Sequence, residues 1–451
     1  MQFDLTRIQT LQTPCYIYDT ELLAQTLEAI HTEIDGRPNY HVHYAIKANS
    51  NPAVLRQIAA SGLGADCVSG GEIRAALDAG FPANEIVFAG VGKADWEIRL
   101  ALEAGIGMFN VESTEELQVI HEIATLLNKR ARVSFRINPD VGAHTHAHIT
   151  TGRAEDKFGI AMEDMVPVIR QAQAMPLINF TGLHFHIGSQ LLEMTDFEAL
   201  CERVNELQEV LDGEGIYAPN INVGGGLGID YEAPDAHPIP NFKAYFDTFK
   251  RGLQLREGQQ LHFELGRAVV AQMGSLLTRV LYVKHGKQKQ FVIVDAGFTE
   301  LIRPALYGAH HAIQNLSAQA TTTSLSSTGA SPSPVGSSPS PVGGSPSPVG
   351  SSPSPVGGSL SPVGGSPSPV GGSPSPVGGS RALFPAVCPP ELYDVVGPIC
   401  ESSDTFARDI TLPQTHRGDL IAIRSAGAYG ETMASQYNCR PLVKAFALKN
   451  L

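Results

Sequence analysis

The chain has 451 residues, of which 43% are hydrophobic, and a formal net charge of -13. An acidic chain without a Lys/Arg run argues against nucleic-acid and anionic-membrane partners, because both require clustered positive charge. No apolar run approaches the roughly 18 residues that span a bilayer, and the start lacks a basic segment followed by an apolar one. The six cysteines form no Cys-x-x-Cys pair, so we expect free thiols and a cytoplasmic protein.

The first 268 residues predict a short opening segment followed by a barrel. Residues 1–30 include a strand-like stretch at 14–18 that we expect to join a later β domain. In 31–268, β-branched or apolar runs alternate with amphipathic stretches, and the runs are 41–46, 64–68, 85–89, 106–111, 131–137, 180–186, 220–223 and 261–265. Ser113 and Thr195 each precede a glutamate by three residues, which predicts two helix N-caps. Eight alternations favour the α/β class with a closed (β/α)8 TIM-like barrel.

After residue 268 the pattern changes to β-rich segments, which predicts a mostly antiparallel all-β domain in two parts, 269–316 and 382–451. Between the parts, residues 331–379 are seven copies of a seven-residue unit close to Ser-Pro-Ser-Pro-Val-Gly-Gly. Each copy contains proline and glycine and only one or two apolar residues, so neither a helix nor a core can form. We predict a disordered insert over 317–381.

Polar residues follow the predicted barrel strands at their C-terminal ends, where the loops of such a barrel carry its chemistry. They are Lys47 after the first run, Asp66 ending the second, His186 ending the sixth, Gly224, Gly225 and Gly226 after the seventh, and Glu264 and Arg267 ending the eighth. A partly desolvated lysine amine can be deprotonated near neutrality and attack an aldehyde. A single lysine at a strand end is more often a solvated charge.

The other strand-end residues also allow two interpretations each. The glycine run offers bare backbone N–H groups that suit a phosphate, with Ser189 as an added hydroxyl donor, or it forms a plain turn. His186 either presents its imidazole face to a flat ring or is an ordinary barrel histidine. Glu264 either pairs with a protonated pyridine nitrogen or forms a structural pair with Arg267.

Five segments together resemble the motifs of the fold-type III pyridoxal-phosphate decarboxylases. They are, in order, Tyr44–Asn49, His186–Gln190, Gly224–Gly226, Glu264-x-Gly266-Arg267 and Cys400–Asp404. The likeness covers nearly the whole chain except 317–381. One departure is Leu265, where the family usually has proline, and we expect a small effect on the backbone.

The resemblance implies that pyridoxal 5'-phosphate is the cofactor. Lys47 would form the Schiff base, His186 would stack on the pyridine, Glu264 would pair with the ring nitrogen, and Asp66 would lie near the lysine. The residues implied for the phosphate are Ser189, Gly224, Gly225, Gly226 and Tyr429.

The resemblance also implies a substrate and an assembly. Arg267, Arg303, Tyr307 and Tyr429 would bind the substrate, and the arginines would grip its distal carboxylate, because a guanidinium can bond a carboxylate bidentately. Glu401 would meet a distal ammonium, so a diamino diacid is favoured, and the implied reaction converts meso-2,6-diaminopimelate to L-lysine and CO2. Cys400 and Glu401 would reach across a homodimer interface, and Cys400 or Lys47 would protonate the product.

Other interpretations remain open at this point. The chain is alternatively a decarboxylase of ornithine, arginine or carboxynorspermidine, or an inactive partner-binding relative, although Lys47 and Cys400 are both present. The alternating His144, His146 and His148 suggest a metal site, but no acidic ligand is interleaved and we expect no metal. His310-His311 is expected to be a turn of the β domain.

Overall fold

The computed structural model describes residues 3–141, 157–318 and 390–450. The three histidines at 144–148 and the repeat tract therefore lie outside the described residues. The chain begins with α1 (Leu5–Ile8), β1 (Cys15–Tyr18) and α2 (Thr20–Ile34). The carboxylate of Asp19 caps α2 by accepting from two backbone N–H groups of the first turn. The sequence patterns had not predicted α2.

Eight parallel strands close into a barrel, which confirms the predicted fold class. They are β2 (Tyr40–Ala45), β3 (Gly64–Cys67), β4 (Ile86–Phe88), β5 (Met108–Val111), β6 (Ala131–Arg136), β7 (Ile178–His184), β8 (Asn220–Asn222) and β9 (Gln260–Leu265). In the register, Ala45 of β2 lies opposite Asp66 of β3, and His43 lies opposite Glu264 of β9. Lys47, two residues after Ala45, is thereby placed at the same rim as both carboxylates.

Helices cover the outside of the barrel. They are α3 (Pro52–Ala60), α4 (Gly70–Ala79), α5 (Asp95–Ala104), α6 (Thr114–Leu127), α7 (Met165–Ala174), α8 (Met194–Gly213) and α9 (Phe242–Gly252). α6 is typical: it buries Leu117, Ile120, Ile123 and Ala124, three or four residues apart, and each large aliphatic side chain contributes about 1.5–3 kcal/mol on burial.

The two predicted helix caps have different outcomes. Ser113 accepts from the backbone N–H of Glu116 at 3.1 Å, which confirms the first cap. The second is wrong, because α8 begins at Met194 with Glu193 at its N-cap, and Thr195 lies inside the first turn. Side-chain capping is absent from that helix start.

The second sheet is mostly antiparallel, as predicted. After the short α10 (Arg267–Val270), its elements are β10 (Gly274–His285), β11 (Gln290–Val294), α11 (Arg303–Tyr307), β12 (Ile313–Asn315), β13 (Glu391–Val396), β14 (Thr405–Leu412), β15 (Leu420–Ile423) and β16 (Lys444–Ala447). β1 pairs with β10 and β16, so the N-terminal segment completes this sheet. The exact limits of the predicted domains and of the 317–381 insert stay predictions.

A loop of the sheet region is hydrogen-bonded to the segment that carries Lys47. The N–H of Tyr429 donates to the carbonyl of Ala48 at 2.8 Å, and the side-chain amide of Asn49 donates to the carbonyl of Gly427 at 2.8 Å. The hydroxyl of Thr432 donates to the carbonyl of Lys47 at 3.2 Å. The rim of the barrel is therefore built from both ends of the sequence.

Two kinds of feature are absent from the described residues. None of their helices is long and apolar enough to cross a membrane. No group of three or more His, Cys, Asp or Glu side chains among them could hold a metal ion.

Candidate active site

A cavity of about 1100 Å3 opens at the C-terminal rim of the barrel, and a smaller cavity of about 110 Å3 lies beside it. Both are lined by Lys47, His186, Ser189, Arg267 and Tyr429. The large cavity adds Arg303 and Tyr307 from the sheet region, and the small one adds Asp66, Gly226 and Glu264. Most residues predicted from the sequence are thus brought together around one space.

Lys47 lies in a short 3-10 turn directly after β2, and its side chain is 43% exposed, facing the large cavity. Its Nζ lies 3.3 Å from Oδ2 of Asp66. Desolvation opposes the charge on the amine, but Asp66 and Tyr429 favour it, so the pKa of Lys47 is raised above its ordinary value. The expectation of a neutral amine near pH 7 is therefore wrong for the chain by itself, because the carboxylate holds an ammonium.

Asp66 is buried, and burial together with the nearby charge of Glu264 raises its pKa to about 6, against the opposing effect of Lys47. The carboxylate is consequently ionised at neutral pH. One of its oxygens, Oδ1, has no hydrogen-bond partner among the described residues. A buried acceptor without a donor is unusual and indicates a site that a ligand completes.

Glu264 is buried at the end of β9 and surrounded by donors. Its Oε1 accepts from the amides of Asn110 at 3.0 Å and Asn222 at 2.8 Å, and its Oε2 lies 3.1 Å from Nε2 of His184. Burial by itself would raise the pKa of Glu264. His184 and Lys47 lower this pKa by a larger amount, so it lies well below the ordinary value. The group is a fixed buried anion.

The alternative interpretation, a structural pair of Glu264 with Arg267, is wrong. The guanidinium of Arg267 instead donates to the hydroxyl of Tyr231 at 2.7 Å and to the hydroxyl of Ser189 at 3.1 Å. It also lies 4.9 Å from the ring centre of Tyr429. Arg267 therefore links the predicted phosphate residues to the rest of the cavity.

The glycine run has the tight geometry that the sequence suggested, but not all its donors are bare. Gly224 and Gly226 have φ values of 68° and 110°, and a Cβ on Gly225 would overlap the carbonyl oxygen of Glu264. The N–H of Gly224 donates to Oδ1 of Asn222 at 2.9 Å, so the expectation of three bare N–H groups is wrong there. Asn222 thereby ties the turn to Glu264.

His186 lies two residues beyond the last residue of β7, in the loop rather than at the strand end as expected. Burial, assisted by the charges of Arg136 and Lys47, lowers the pKa of His186 to about 3. The ring is therefore neutral at physiological pH. It also accepts, at 3.4 Å, from the N–H of Gly225.

The opposite side of the cavity carries a second cation. Arg303 begins α11 and Tyr307 ends it, and both line the large cavity. The guanidinium of Arg303 donates to Nε2 of His311 at 2.8 Å and lies 5.0 Å from the ring centre of Tyr231. Arg267 and Arg303 are both buried, and in the described ranges neither forms an ion pair with a carboxylate.

Cys400 and Glu401 lie elsewhere in the described chain. Both are exposed, and neither lines the two cavities. Asp404 fixes their loop by accepting from the N–H groups of Phe298 at 2.6 Å and Ile399 at 2.7 Å. Glu401 accepts from the hydroxyl of Tyr437 at 2.7 Å.

Sequence reasoning missed five residues of this site. Three of them are polar residues within or at the end of short apolar strands: Asn110, His184 and Asn222. The contrast between each polar residue and its apolar neighbours would have identified them from the sequence. His311 was taken for a turn residue, and Tyr231 carries no local signal at all.

The residues fit pyridoxal 5'-phosphate. A fixed anion at Glu264 matches a pyridinium nitrogen, the Lys47 amine matches an aldehyde, and the unpartnered Asp66 Oδ1 accepts a donor. A Cβ on Gly266 would enter the small cavity, 3.1 Å from that of Ala45, so the glycine keeps this space open. Fold and site together define a barrel-type pyridoxal-phosphate enzyme.

Comparison with known proteins gives the family. The profile described as "Pyridoxal-dependent decarboxylase, pyridoxal binding domain" matches residues 21–271, and that described as "Pyridoxal-dependent decarboxylase, C-terminal sheet domain" matches residues 369–427. The chain belongs to the pyridoxal-dependent decarboxylase family.

Two similar proteins are named diaminopimelate decarboxylase, and a more distant one has another name. The chain is 53% identical over 449 residues to diaminopimelate decarboxylase of Bacteroides thetaiotaomicron, covering 100% of this chain and 99% of the relative. The crystal structure of diaminopimelate decarboxylase from Helicobacter pylori complexed with L-lysine is 36% identical, with a TM-score of 0.76 over 97% of this chain and 92% of that one. A lysine/ornithine decarboxylase from Vibrio vulnificus, at 19% identity and a TM-score of 0.70, shares the fold.

Proposed function

We propose that this chain catalyses the pyridoxal-phosphate-dependent decarboxylation of meso-2,6-diaminopimelate to L-lysine and CO2. The observation that carries the substrate assignment is the pair of buried guanidiniums, Arg267 and Arg303, without a carboxylate partner in the described chain. Diaminopimelate keeps a second carboxylate after decarboxylation, and ornithine and arginine do not. Relatives that align over nearly the full chain are named for the same substrate.

Lys47 would hold the cofactor covalently, His186 would lie against its ring, and Glu264 would face the ring nitrogen. Ser189, Gly226 and Tyr429 would bind its phosphate, while Gly224 and Gly225 would act through the turn shape, since the N–H of each is already bonded. When bound, the cofactor supplies an electron sink for the pair of electrons left behind by CO2.

The chain's own residues prepare this chemistry. Asn110, Asn222 and His184 keep Glu264 ionised and fixed, so a cationic ring nitrogen next to it would stay protonated. Asp66 holds the Lys47 amine at the rim. After the carbon–carbon bond breaks, one proton must be delivered to the same carbon, and Lys47 or Cys400 would deliver it.

The exposed positions of Cys400 and Glu401 support the proposal of a homodimer whose active sites are shared between chains. Cys400 would enter the partner's cavity, and Glu401 would meet the distal ammonium of the substrate there. We further propose a cytoplasmic location, which the absence of disulfides among the described cysteines supports.

The direct test is CO2 release by the purified enzyme with the cofactor present, from meso-diaminopimelate, its other stereoisomers, ornithine and arginine in parallel. We expect turnover of the meso isomer, with L-lysine as the product. Preference for ornithine would contradict the substrate assignment and leave the cofactor assignment intact.

Covalent attachment is tested separately. Borohydride should fix a pyridoxyl group on Lys47, identified by peptide mass spectrometry, and Lys47→Ala should lose roughly a thousandfold or more in kcat/KM. Lys289→Ala, on the outer sheet and bonded to Asp394 and Asp409, is the matched control. A label on another lysine, or an active Lys47→Ala variant, would contradict the role.

A further inference from the structure

His311 lies behind Arg303 and is 2% exposed. Its Nδ1 is 2.8 Å from the carbonyl oxygen of Arg424, and its Nε2 is 2.8 Å from Nη1 of Arg303. Since a carbonyl oxygen can only accept, Nδ1 carries the proton and donates. Nε2 therefore has a free lone pair, and it accepts from the guanidinium.

The anchor behind His311 is itself fixed. The guanidinium of Arg424 donates to both oxygens of Asp235, at 2.7 and 3.0 Å, and to the side chain of Gln314 at 2.8 Å. Arg424 is 2% exposed and pairs with His311 only through its backbone carbonyl. The imidazole is thus held at one nitrogen by a rigid segment and can orient a group at the other.

The groups around the His311 ring favour its neutral form. Burial, with the charges of Arg303 and Arg267, lowers the pKa of His311 to about 3, and His310 adds a smaller effect in the same direction. The Tyr231 ring packs edge-on at 5.1 Å between ring centres. A neutral acceptor is significant here, because it orients Arg303 without cancelling the positive charge that an anionic ligand would use.

We propose that His311 is a positioning residue for the distal carboxylate of the substrate: it engages one guanidinium N–H of Arg303, whose side chain lines the large cavity. An aspartate or glutamate at this place would form a permanent ion pair and compete with the incoming carboxylate. This inference rests on the proposed function, since it assumes a substrate with a second carboxylate.

Two amide variants separate positioning from packing. In His311→Gln the side-chain oxygen reaches about as far as Nε2, so it still accepts from Arg303. In His311→Asn the oxygen reaches only as far as Nδ1, so the contact with Arg303 is lost. We expect KM for meso-diaminopimelate to rise about tenfold or more in His311→Asn and by less than about threefold in His311→Gln, with kcat little changed in both.

Inhibition of the holoenzyme by L-lysine and by cadaverine distinguishes a local effect on Arg303 from a general loss of stability. L-Lysine retains a carboxylate and cadaverine does not, so His311→Asn should weaken inhibition by L-lysine about tenfold and leave inhibition by cadaverine unchanged. His285→Asn, at the exposed end of β10 and outside the lining of both cavities, is the control for the same substitution.

The outcomes are distinguishable. Equal KM and equal L-lysine inhibition in His311→Asn and the wild type would overturn the positioning role while the wild type still decarboxylates diaminopimelate. Parallel weakening of L-lysine and cadaverine would also overturn it, as it indicates general distortion. If the wild type does not accept diaminopimelate, the proposed function fails first.

Discussion

The two ends of the cavity handle buried charge in opposite ways. At the barrel end, Glu264 has three side-chain partners and Asp66 has the Lys47 ammonium, so each carboxylate is held by groups of the chain itself. At the sheet end, the partners of Arg267 and Arg303 among the described residues are all neutral groups. A buried charge without a counter-ion lowers stability unless a ligand supplies one. This difference supports the proposal that the barrel end holds a resident cofactor and the sheet end binds an exchanging substrate.

The largest effect is expected from removing the charge at the barrel end. Glu264→Gln keeps the shape and one acceptor but loses the anion, so kcat should fall by about a hundredfold or more, because electrostatic stabilisation inside a closed site is strong. Steady-state kinetics with saturating cofactor measures it. The exposed Glu122→Gln on α6 is the control. An undiminished kcat in Glu264→Gln would mean that catalysis does not need the buried anion at the barrel end, so the two ends of the cavity would no longer differ in this respect.

At the sheet end the expected effect is on binding. Arg303→Met keeps the aliphatic stem and removes the charge, so KM for diaminopimelate should rise roughly tenfold to a hundredfold, with a smaller change in kcat. Inhibition by cadaverine, which lacks a carboxylate, should persist. A loss of kcat with an unchanged KM would place Arg303 in the chemistry rather than in substrate binding.

Glu72 is a third carboxylate at the barrel end and interacts with Asp66. Burial, with a smaller effect of Asp66, raises the pKa of Glu72 to about 7. A carboxyl group with a raised pKa in the folded state opposes folding once it ionises, so its unfavourable effect is absent below about pH 4.5 and complete above pH 7.

Glu72→Gln should therefore stabilise the protein more at pH 8 than at pH 5, by about 1–2 kcal/mol in the free energy of unfolding. Denaturant unfolding at both pH values checks this. The exposed Glu28→Gln on α2 corrects for a general change in net charge. A stabilisation that is larger at pH 5 would show that the sign of the Glu72 contribution is wrong.

The smallest effect is expected from deleting the repeats, because both ends of the cavity are built from residues outside 317–381. A variant that joins Ser317 to Arg381 should keep its activity and change the free energy of unfolding by less than about 1 kcal/mol, since loop-closure entropy depends only logarithmically on length. Activity and thermal unfolding measure both. Loss of either would mean that the insert contributes to the folded domains.

The sequence predicts the barrel well, because its strands are short continuous apolar runs and its helices have clear amphipathic spacing. It does not predict β14, where Arg408 and Asp409 interrupt the apolar pattern and Asp409 adopts a φ of 51°. Edge strands such as β14 tolerate such an irregularity when a partner strand compensates, as β13 does here with register shifts. Local patterns contain no information about that partner.

The same limit applies to the site. Lys47, Asp66 and Glu264 could be found because the barrel fold dictates where strand ends lie. Tyr231 and His311 could not, since their importance arises from contacts with Arg267 and Arg303, which are distant in sequence or belong to another element. The protonation state of Lys47 was missed for a related reason: it depends on a carboxylate whose distance only the folded structure gives.

The hydrogen bonds between the Lys47 turn and residues 427–432 have a consequence for synthesis of the protein. Thr432, which braces the Lys47 turn by donating to the Lys47 carbonyl, is made 385 residues after that lysine. A nascent chain could complete all eight barrel strands and still have an unbraced lysine. Chemical competence would then appear only when residues 427–432 have folded back onto this turn.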